Sequence, residues 1–441
     1  MPHVISLSRR RITLSSLLPA IKCTSRTLGP KLGGLKMLRT LPVFALLVVG
    51  ARAHLGEQEH LRIELDELVK QGTPIGSDSV KSPRWLEKYG PQFDQTFSGP
   101  LSFSHLPYHT CLEQEALDYD IAVIGMPFDT AVTYRTGARF GPYAIRSGSR
   151  RQMGSRGYTM AWGMNPYESG LKIVDCGDIP VSPFDNALAI DQMEVAYNTL
   201  IGRPTTHLTG TQPLGKDGAE HPRIISLGGD HTIVLPILRS LYKTYGPITV
   251  IHFDAHLDTW PAYVGTTSPQ SRVTHGTFFY LAQEEGLMSN HSIHAGIRCK
   301  MNGAEDLEND AAVGFKVVAT DDLDDLGVPE VVKRIRDRVG DSPVYLSLDI
   351  DVIDPGLAPA TGTPEAGGWT TREVKRILRG LAGLNFVGAD VVEVAPAYDH
   401  AEITGIAAAD IVHDFLSMMM EKTVPKGGYP YATPLHIVDE L

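Results

Sequence analysis

Residues 248–258 read ITVIHFDAHLD, and this stretch decides the fold. Its first six residues are mostly apolar or β-branched on both alternations. That is the mark of a strand buried on both faces, as in a parallel sheet. Working outward, similar short runs recur: IAVIG from Ile121, LKIVD from Leu171, RIISL from Arg223, SIHAGI from Ser292, FKVV from Phe315, PVYLSLDI from Pro343 and FVGADVVEV from Phe386. Helical segments such as PEVVKRIRDRVG and TREVKRILRGLAG lie between several of them. Strand–helix alternation predicts one α/β domain with right-handed crossovers, its eight candidate strands forming one sheet with helices on both faces. No repeat or break in composition divides residues 118–425.

Open α/β sheets place their sites at the carboxyl ends of strands, and three of those ends are loaded. GGDHT follows the third run from Gly228, DAHLD follows the fourth from Asp254, and DIDVIDP closes the seventh from Asp349. In an extended chain residues i, i+2 and i+4 point the same way. Asp254, His256 and Asp258 are therefore expected on one side, as are Asp349 and Asp351, with His231 arriving from a third strand end. Four carboxylates so close cannot all stay ionised without compensating positive charge, and no basic residue stands beside them. Two divalent cations match four carboxylates in charge, and two neutral imidazoles complete the shells. Oxygen-rich ligation without thiolate favours a hard ion such as Mn²⁺ over Zn²⁺. Alone, a DxD could be a turn or a helix cap, and GGDH a glycine-rich turn. Three such motifs at the strand ends of one sheet argue for a binuclear cation centre. Asp230 reads as a cap for the next helix or a support for His231, and Asp354, before Pro355, as the start of a turn.

The set GGDHT, DAHLD and SLDIDVIDP resembles the ureohydrolase family of arginase, agmatinase and related guanidino hydrolases, over roughly residues 100–420. The surrounding residues, GMPFDTAVTYRTGARFGPYAIR from Gly125, APATGTPEAGGWTTRE from Ala358 and VVEVAPAYDHAEITGIAAA from Val391, are closer to agmatinase and guanidinobutyrase than to arginase. The resemblance implies a three-layer α/β/α fold with an eight-stranded parallel sheet. It implies two Mn²⁺ ions, one held by His231, Asp254, Asp258 and Asp349, the other by His256, Asp254, Asp349 and Asp351. Glu393 would face the substrate guanidinium, and His275 would be a mobile acid/base. Agmatine, cleaved to putrescine and urea, is the first expectation, followed by 4-guanidinobutanoate and then arginine. A catalytically silent protein that binds a polyamine or a partner is the reading from another class. The resemblance also implies a homo-oligomer, trimer or hexamer. The 259–274 stretch is longer than the matching loop of the shortest agmatinases. Its Trp260 and Tyr263 are expected to pack beneath the loop rather than line the mouth of the site.

The chain of 441 residues carries 40 Lys+Arg against 51 Asp+Glu, a net charge of −11, which argues against nucleic acid as the main partner. The basic residues are unevenly spread. Nine precede the first acidic residue, Glu57, so the rest of the chain sets 31 against 51. Within that leader, residues 41–51 (LPVFALLVVGA) are too short to span a bilayer but fit a secretory h-region, followed by an Ala-Arg-Ala cleavage pattern ending at Ala53. Met37 could serve as the start of such a signal. The expected organisation is a targeting leader over 1–53, an N-terminal arm over 54–117, a catalytic domain over 118–425 and a tail over 426–441. Secretion is the expected route, with no membrane in the mature form; a mitochondrial transit peptide is the alternative. The lone sequon at Asn290 fits an oxidising route only weakly, and the four cysteines present no recognisable disulfide framework.

Overall fold

A computed structural model of the chain describes residues 84–207, 214–263 and 265–423. The expected leader, the arm up to residue 83 and the tail lie outside the described residues. The strands are β1 (Ile121–Met126), β2 (Ile173–Asp178), β3 (Arg223–Gly228), β4 (Thr249–Phe253), β5 (Ile293–Ile297), β6 (Val317–Ala319), β7 (Val344–Asp349) and β8 (Phe386–Val392). All pair in parallel in one sheet of order β2-β1-β3-β8-β7-β4-β5-β6. The helices are α1 (Trp85–Tyr89), α2 (Gly141–Gly148), α3 (Asn186–Ile201), α4 (Val234–Tyr245), α5 (Phe278–Glu284), α6 (Ala304–Val313), α7 (Asp322–Val339), α8 (Thr371–Gly380) and α9 (Ile403–Met420).

Strand alternation divides the interior into two cores. Ile121, Val123, Ile225, Leu227, Ile251, Phe253, Leu346 and Leu348 face one, beneath α2, α7, α8 and α9. Ala122, Ile124, Ile224, Val250, Tyr345 and Val387 face the other, beneath α3, α4 and α5. A sheet covered on both faces explains why the strands read as unbroken apolar runs. The three-layer α/β/α expectation holds. Helix α9 is long and apolar enough to cross a bilayer by length and composition, but most of it is buried inside the molecule, where both sides meet protein.

Two departures from the sequence reading concern the edge of the sheet. Residues 103–111 run along β2: Tyr108 bridges Asp175 in parallel, and His109 N–H donates to the Asp175 carbonyl at 2.9 Å. Cys111 and Cys176 form a disulfide that ties this segment to β2, a pairing the cysteine count did not reveal. The Asp175 carboxylate takes a two-pronged contact from buried Arg146 of α2, at 2.8 and 2.9 Å, so the buried charge is paired.

The topology decides where the chemistry goes. Strands β3, β8, β7 and β4 are consecutive in the middle of the sheet, so the segments after them emerge side by side. At the end of β3 a Cβ on Gly229 would stand 2.2 Å from the Phe128 carbonyl oxygen, so only glycine lets β3 leave the sheet this close to the loop after β1.

Candidate active site

Each motif reaches the site by its own local device. His231 opens a 3-10 turn, His231–Ile233, capped by Asp230, whose side chain accepts from Thr232 N–H at 3.0 Å and from Ala131 N–H at 3.0 Å. The capping role expected of Asp230 is the observed one. Asp354 likewise begins a turn, accepting from the N–H groups of Gly356, Gly367 and Gly368.

The alternation argument for the other two motifs names the right residues for a reason the backbone does not follow. Strand β4 ends at Phe253, and Asp258 sits at φ 55°, a left-handed conformation costly for a residue with a Cβ. Strand β7 ends at Asp349, and Asp351 lies in a 3-10 turn, Ile350–Val352. Convergence comes from these turns, not from extended chain.

Backbone N–H groups pin one oxygen of three carboxylates and leave the other facing inward. Asp254 Oδ1 accepts from His256 N–H at 2.5 Å, Asp349 Oδ1 from Asp351 N–H at 2.8 Å and Asp351 Oδ1 from Ala255 N–H at 3.1 Å. The imidazoles meet these carboxylates, through the inward oxygens and, at Asp254, also through the pinned Oδ1. His231 Nδ1 is 3.1 Å from Asp254 Oδ2, 3.1 Å from Asp258 Oδ2 and 3.4 Å from Asp349 Oδ2. His256 Nδ1 is 3.2 Å from Asp254 Oδ1 and 3.0 Å from Asp351 Oδ2. All six residues predicted to hold cations are thus brought together.

Two groups have ligand atoms close enough to share an ion: His231, His252, Asp254 and Asp258, and Asp254, His256 and Asp351, with Asp254 common to both. Asp349 lies against the first through its Oδ2. Sequence reasoning missed His252, although it stands on β4 only two residues before Asp254; its Nε2 lies 3.0 Å from Asp254 Oδ2.

The chemistry of this donor set fits cations. His231 Nδ1, Asp254 Oδ2 and Glu393 Oε2 are buried without a hydrogen-bond partner, a costly state unless something positive meets them. Ser347 Oγ donates to the buried Asp390 at 2.9 Å, so it accepts from His231 Nε2–H at 2.8 Å. That fixes the tautomer and leaves a lone pair on Nδ1, as a metal ligand requires. Tyr345 hydroxyl donates to the other Asp390 oxygen at 2.6 Å. Electrostatics agree. Burial first, then mutual repulsion with Asp254, pushes the carboxyl of Asp351 up to about 6 and that of Asp258 upward. Burial and the neighbouring Asp351 and Asp254 push Asp349 up further. Positive charge between them is what would bring them back down.

Beside this cluster opens a cavity of about 180 Å³ lined by Thr133, His256, Asp258, Trp260, Tyr263, His275, Gly276, Asp349 and Thr363. Trp260 and Tyr263 therefore line the mouth, contrary to the sequence expectation. Both stand over Gly276, where a Cβ would meet the Tyr263 hydroxyl at 3.2 Å and the Trp260 ring at 3.5 Å; glycine there leaves room for the two side chains at the cavity wall.

His275 is held between two partners. Its Nδ1 lies 3.0 Å from Glu393 Oε1, and its Nε2 accepts from Thr133 N–H at 2.9 Å. Burial disfavours charge on the ring, but the hydrogen bond and charge of Glu393 raise its pKa to about 9. The carboxylate favours a proton on the ring, and the Thr133 N–H, which needs a bare Nε2, directs that proton to Nδ1. Glu393 itself is buried behind His275, at φ 62°, and is not part of the cavity wall. Its Oε1 also accepts from His231 N–H at 2.9 Å. A Cβ on Gly362 would lie 2.7 Å from the Arg135 carbonyl oxygen, so glycine at 362 lets this wall close next to Glu393.

The fold and the donor set together define a hydrolytic centre built for two cations on an α/β/α scaffold. Residues 119–418 match the Arginase family, and the chain belongs to that family. It is 53% identical to “Putative agmatinase 1” of Schizosaccharomyces pombe over 76% of this chain and 86% of that one. It is 40% identical to an agmatinase of Chromobacterium violaceum over 76% of this chain and 94% of that one. Among solved structures, the proclavaminate amidino hydrolase of Streptomyces clavuligerus superposes with a TM-score of 0.65 at 35% identity, covering 75% of this chain and all of that one. The chain is a ureohydrolase acting on a guanidino compound, with a binuclear site consistent with the family's dimanganese centre.

Proposed function

We propose that the substrate is agmatine, released as putrescine and urea. The observation that carries this is the cavity wall: neither lysine nor arginine is among the described residues lining it, whereas Asp258, Asp349 and two aromatic rings are. A carboxylate tail, as in 4-guanidinobutanoate or arginine, would find no cation there. An ammonium tail would find aromatic faces at Trp260 and Tyr263 and a negative field around them. Two relatives carrying the agmatinase name support the same reading.

In this reading His231, Asp254, Asp258 and Asp349 hold one Mn²⁺, and His256, Asp254, Asp349 and Asp351 the other. Bound there, the cations supply water acidified toward neutral pH and positive charge opposite the developing oxyanion. The protein does the rest. Glu393 stands behind His275, outside the cavity wall, so its Oε1 orients that ring, and the cavity wall around Asp258 and Thr133 holds the guanidinium carbon in line for attack. Resonance makes that carbon a poor electrophile, so this positioning matters. His275 protonates the departing amine, giving up the proton that Glu393 favours and the Thr133 N–H directs to Nδ1. Trp260 and Tyr263 keep bulk water from the mouth.

Incubation of the purified protein with Mn²⁺ and agmatine, 4-guanidinobutanoate, arginine and other guanidino compounds, with urea measured, tests this. Preferred release of urea from agmatine is expected. Preference for a carboxylate-tailed compound would overturn the assignment of substrate. Bound manganese with no urea from any of them would favour a silent binding protein.

The reading extends to the compartment. The leader has the plan of a secretory signal, and the Cys111–Cys176 disulfide suits an oxidising route. Sequencing the mature N-terminus and fractionating the cell check it: cleavage after Ala53 in secreted material is expected, and a mitochondrial pool would overturn it.

A further inference from the structure

Behind Asp254, away from the cavity, a second polar chain runs through the core. The β4–β5 register sets His252 opposite His294, and their Nδ1 atoms are 2.7 Å apart. His294 Nε2 lies 2.9 Å from Asp310 Oδ1, on α6. The same oxygen accepts from the Thr259 hydroxyl at 2.8 Å, and Asn309 of the same helix donates to the Thr259 carbonyl at 2.6 Å. At the other end, His252 Nε2 faces Asp254 Oδ2 at 3.0 Å. His252, His294, Asp310 and Thr259 are all buried.

Packing alone does not explain them. The surroundings are apolar: His294 stacks on Phe315 with centroids 3.9 Å apart and planes 11° apart, and His252 meets Phe279 edge-on at 4.9 Å. Aromatic or aliphatic side chains would fill this space without the cost of burying polar groups. The hydrogen bonding is directional instead. Asp310 can only accept, so His294 presents Nε2–H to it. A contact of 2.7 Å between two ring nitrogens needs one hydrogen between them. Both rings are therefore held in orientation. The two arms leaving Asp310 end on different parts of the site. One runs through His294 to His252, whose Nε2 packs against Asp254 Oδ2 at 3.0 Å in a contact that is not a hydrogen bond. The other holds Thr259, the residue directly after Asp258, where the backbone has its left-handed kink.

We propose that Asp310, His294 and His252 are positioning residues for the cation centre, setting the carboxylates of Asp254 and Asp258 from a single buried anchor. This rests on reading the six-residue cluster as that centre. Asp310 joins helix α6 and the base of the 259–274 loop to two of the three carboxylates that surround His231 Nδ1. The groove-forming loop and the cations are thereby placed in register by the same carboxylate.

The test compares Mn²⁺ affinity, by chelator competition on the manganese-loaded full-length protein, with unfolding temperature. His294→Phe keeps the stack on Phe315 and removes both nitrogens. Asp310→Ala removes both arms, and Asp310→Asn keeps Oδ1 as an acceptor. His294→Phe and Asp310→Ala are expected to bind Mn²⁺ about 10- to 100-fold more weakly, the usual effect of losing a group that orients a metal ligand. Asp310→Asn should recover most of that affinity. At saturating Mn²⁺ the loss should fall on kcat rather than KM, since none of these side chains touches the cavity. Parental Mn²⁺ affinity in both disrupted variants overturns the proposal. So does an affinity that tracks unfolding temperature across all three. If the parent protein itself holds no Mn²⁺, the reading of the cluster fails and this proposal falls with it.

Discussion

The two imidazoles of the cluster are supported very differently. His231 is fully buried, with one ring nitrogen engaged by the Ser347–Asp390–Tyr345 chain and the other surrounded by three carboxylate oxygens. His256 keeps 18% of its side chain exposed, lines the cavity, and has only Glu365, at 3.9 Å, near its outer nitrogen. One half is a rigid seat built into the core. The other is the working face, open to the substrate. Asp254 belongs to both, which is why its carboxylate is pinned from the front by His256 N–H and faced from behind by His252.

The largest expected effect comes from removing what the halves share. Asp254→Asn or Asp349→Asn should abolish both manganese binding and urea release, checked by metal analysis of the purified variants; retention of one ion would show that the halves are independent. On the open side, His275→Asn should lower kcat by about 10²- to 10⁴-fold, the usual worth of a general acid. The sign of its pH dependence follows from a pKa raised to about 9. The acid form is complete at neutral pH and is lost as pH rises through about 9, so parental activity should fall on that alkaline limb and the variant should show no such limb. Ser347→Ala removes the partner that fixes the His231 tautomer. It should weaken Mn²⁺ by about 10- to 100-fold in a titration while leaving the affinity for agmatine at saturating metal near parental. Glu365→Gln, at the outer edge of His256 and paired with exposed Lys300, should change Mn²⁺ affinity by no more than about fivefold, within the worth of a surface ion pair. Equal losses from Ser347→Ala and Glu365→Gln would erase the contrast between the two halves.

Much of this was legible in the residues. The eight strands announced themselves because a sheet covered on both faces leaves no polar alternation. The six clustered Asp and His residues announced themselves because carboxylates at strand ends have no apolar reason to be there. What misled was local geometry. The i, i+2 rule placed Asp258 and Asp351 correctly, yet the chain reaches them through a left-handed residue and a 3-10 turn. Trp260 and Tyr263 were assigned beneath the loop, since nothing in their spacing shows that the fold brings them to the cavity wall over Gly276. Asp390, Ser347 and Tyr345 read as strand interior, and in a buried parallel strand a polar residue says nothing about which ligand it will support.

The amino-acid sequence by itself therefore determined the α/β class, the strand count and six of the clustered acids and imidazoles, without His252. Periodicity and uncompensated charge are properties of residues read along the chain. Only the tertiary structure decided that β3, β8, β7 and β4 stand side by side. It alone set Glu393 behind His275, joined Cys111 to Cys176 and brought His252, His294 and Asp310 into one chain behind Asp254. Those pairings link residues far apart in sequence. They depend on strand order and register, which the crossover connections fix in space and no local run of residues records.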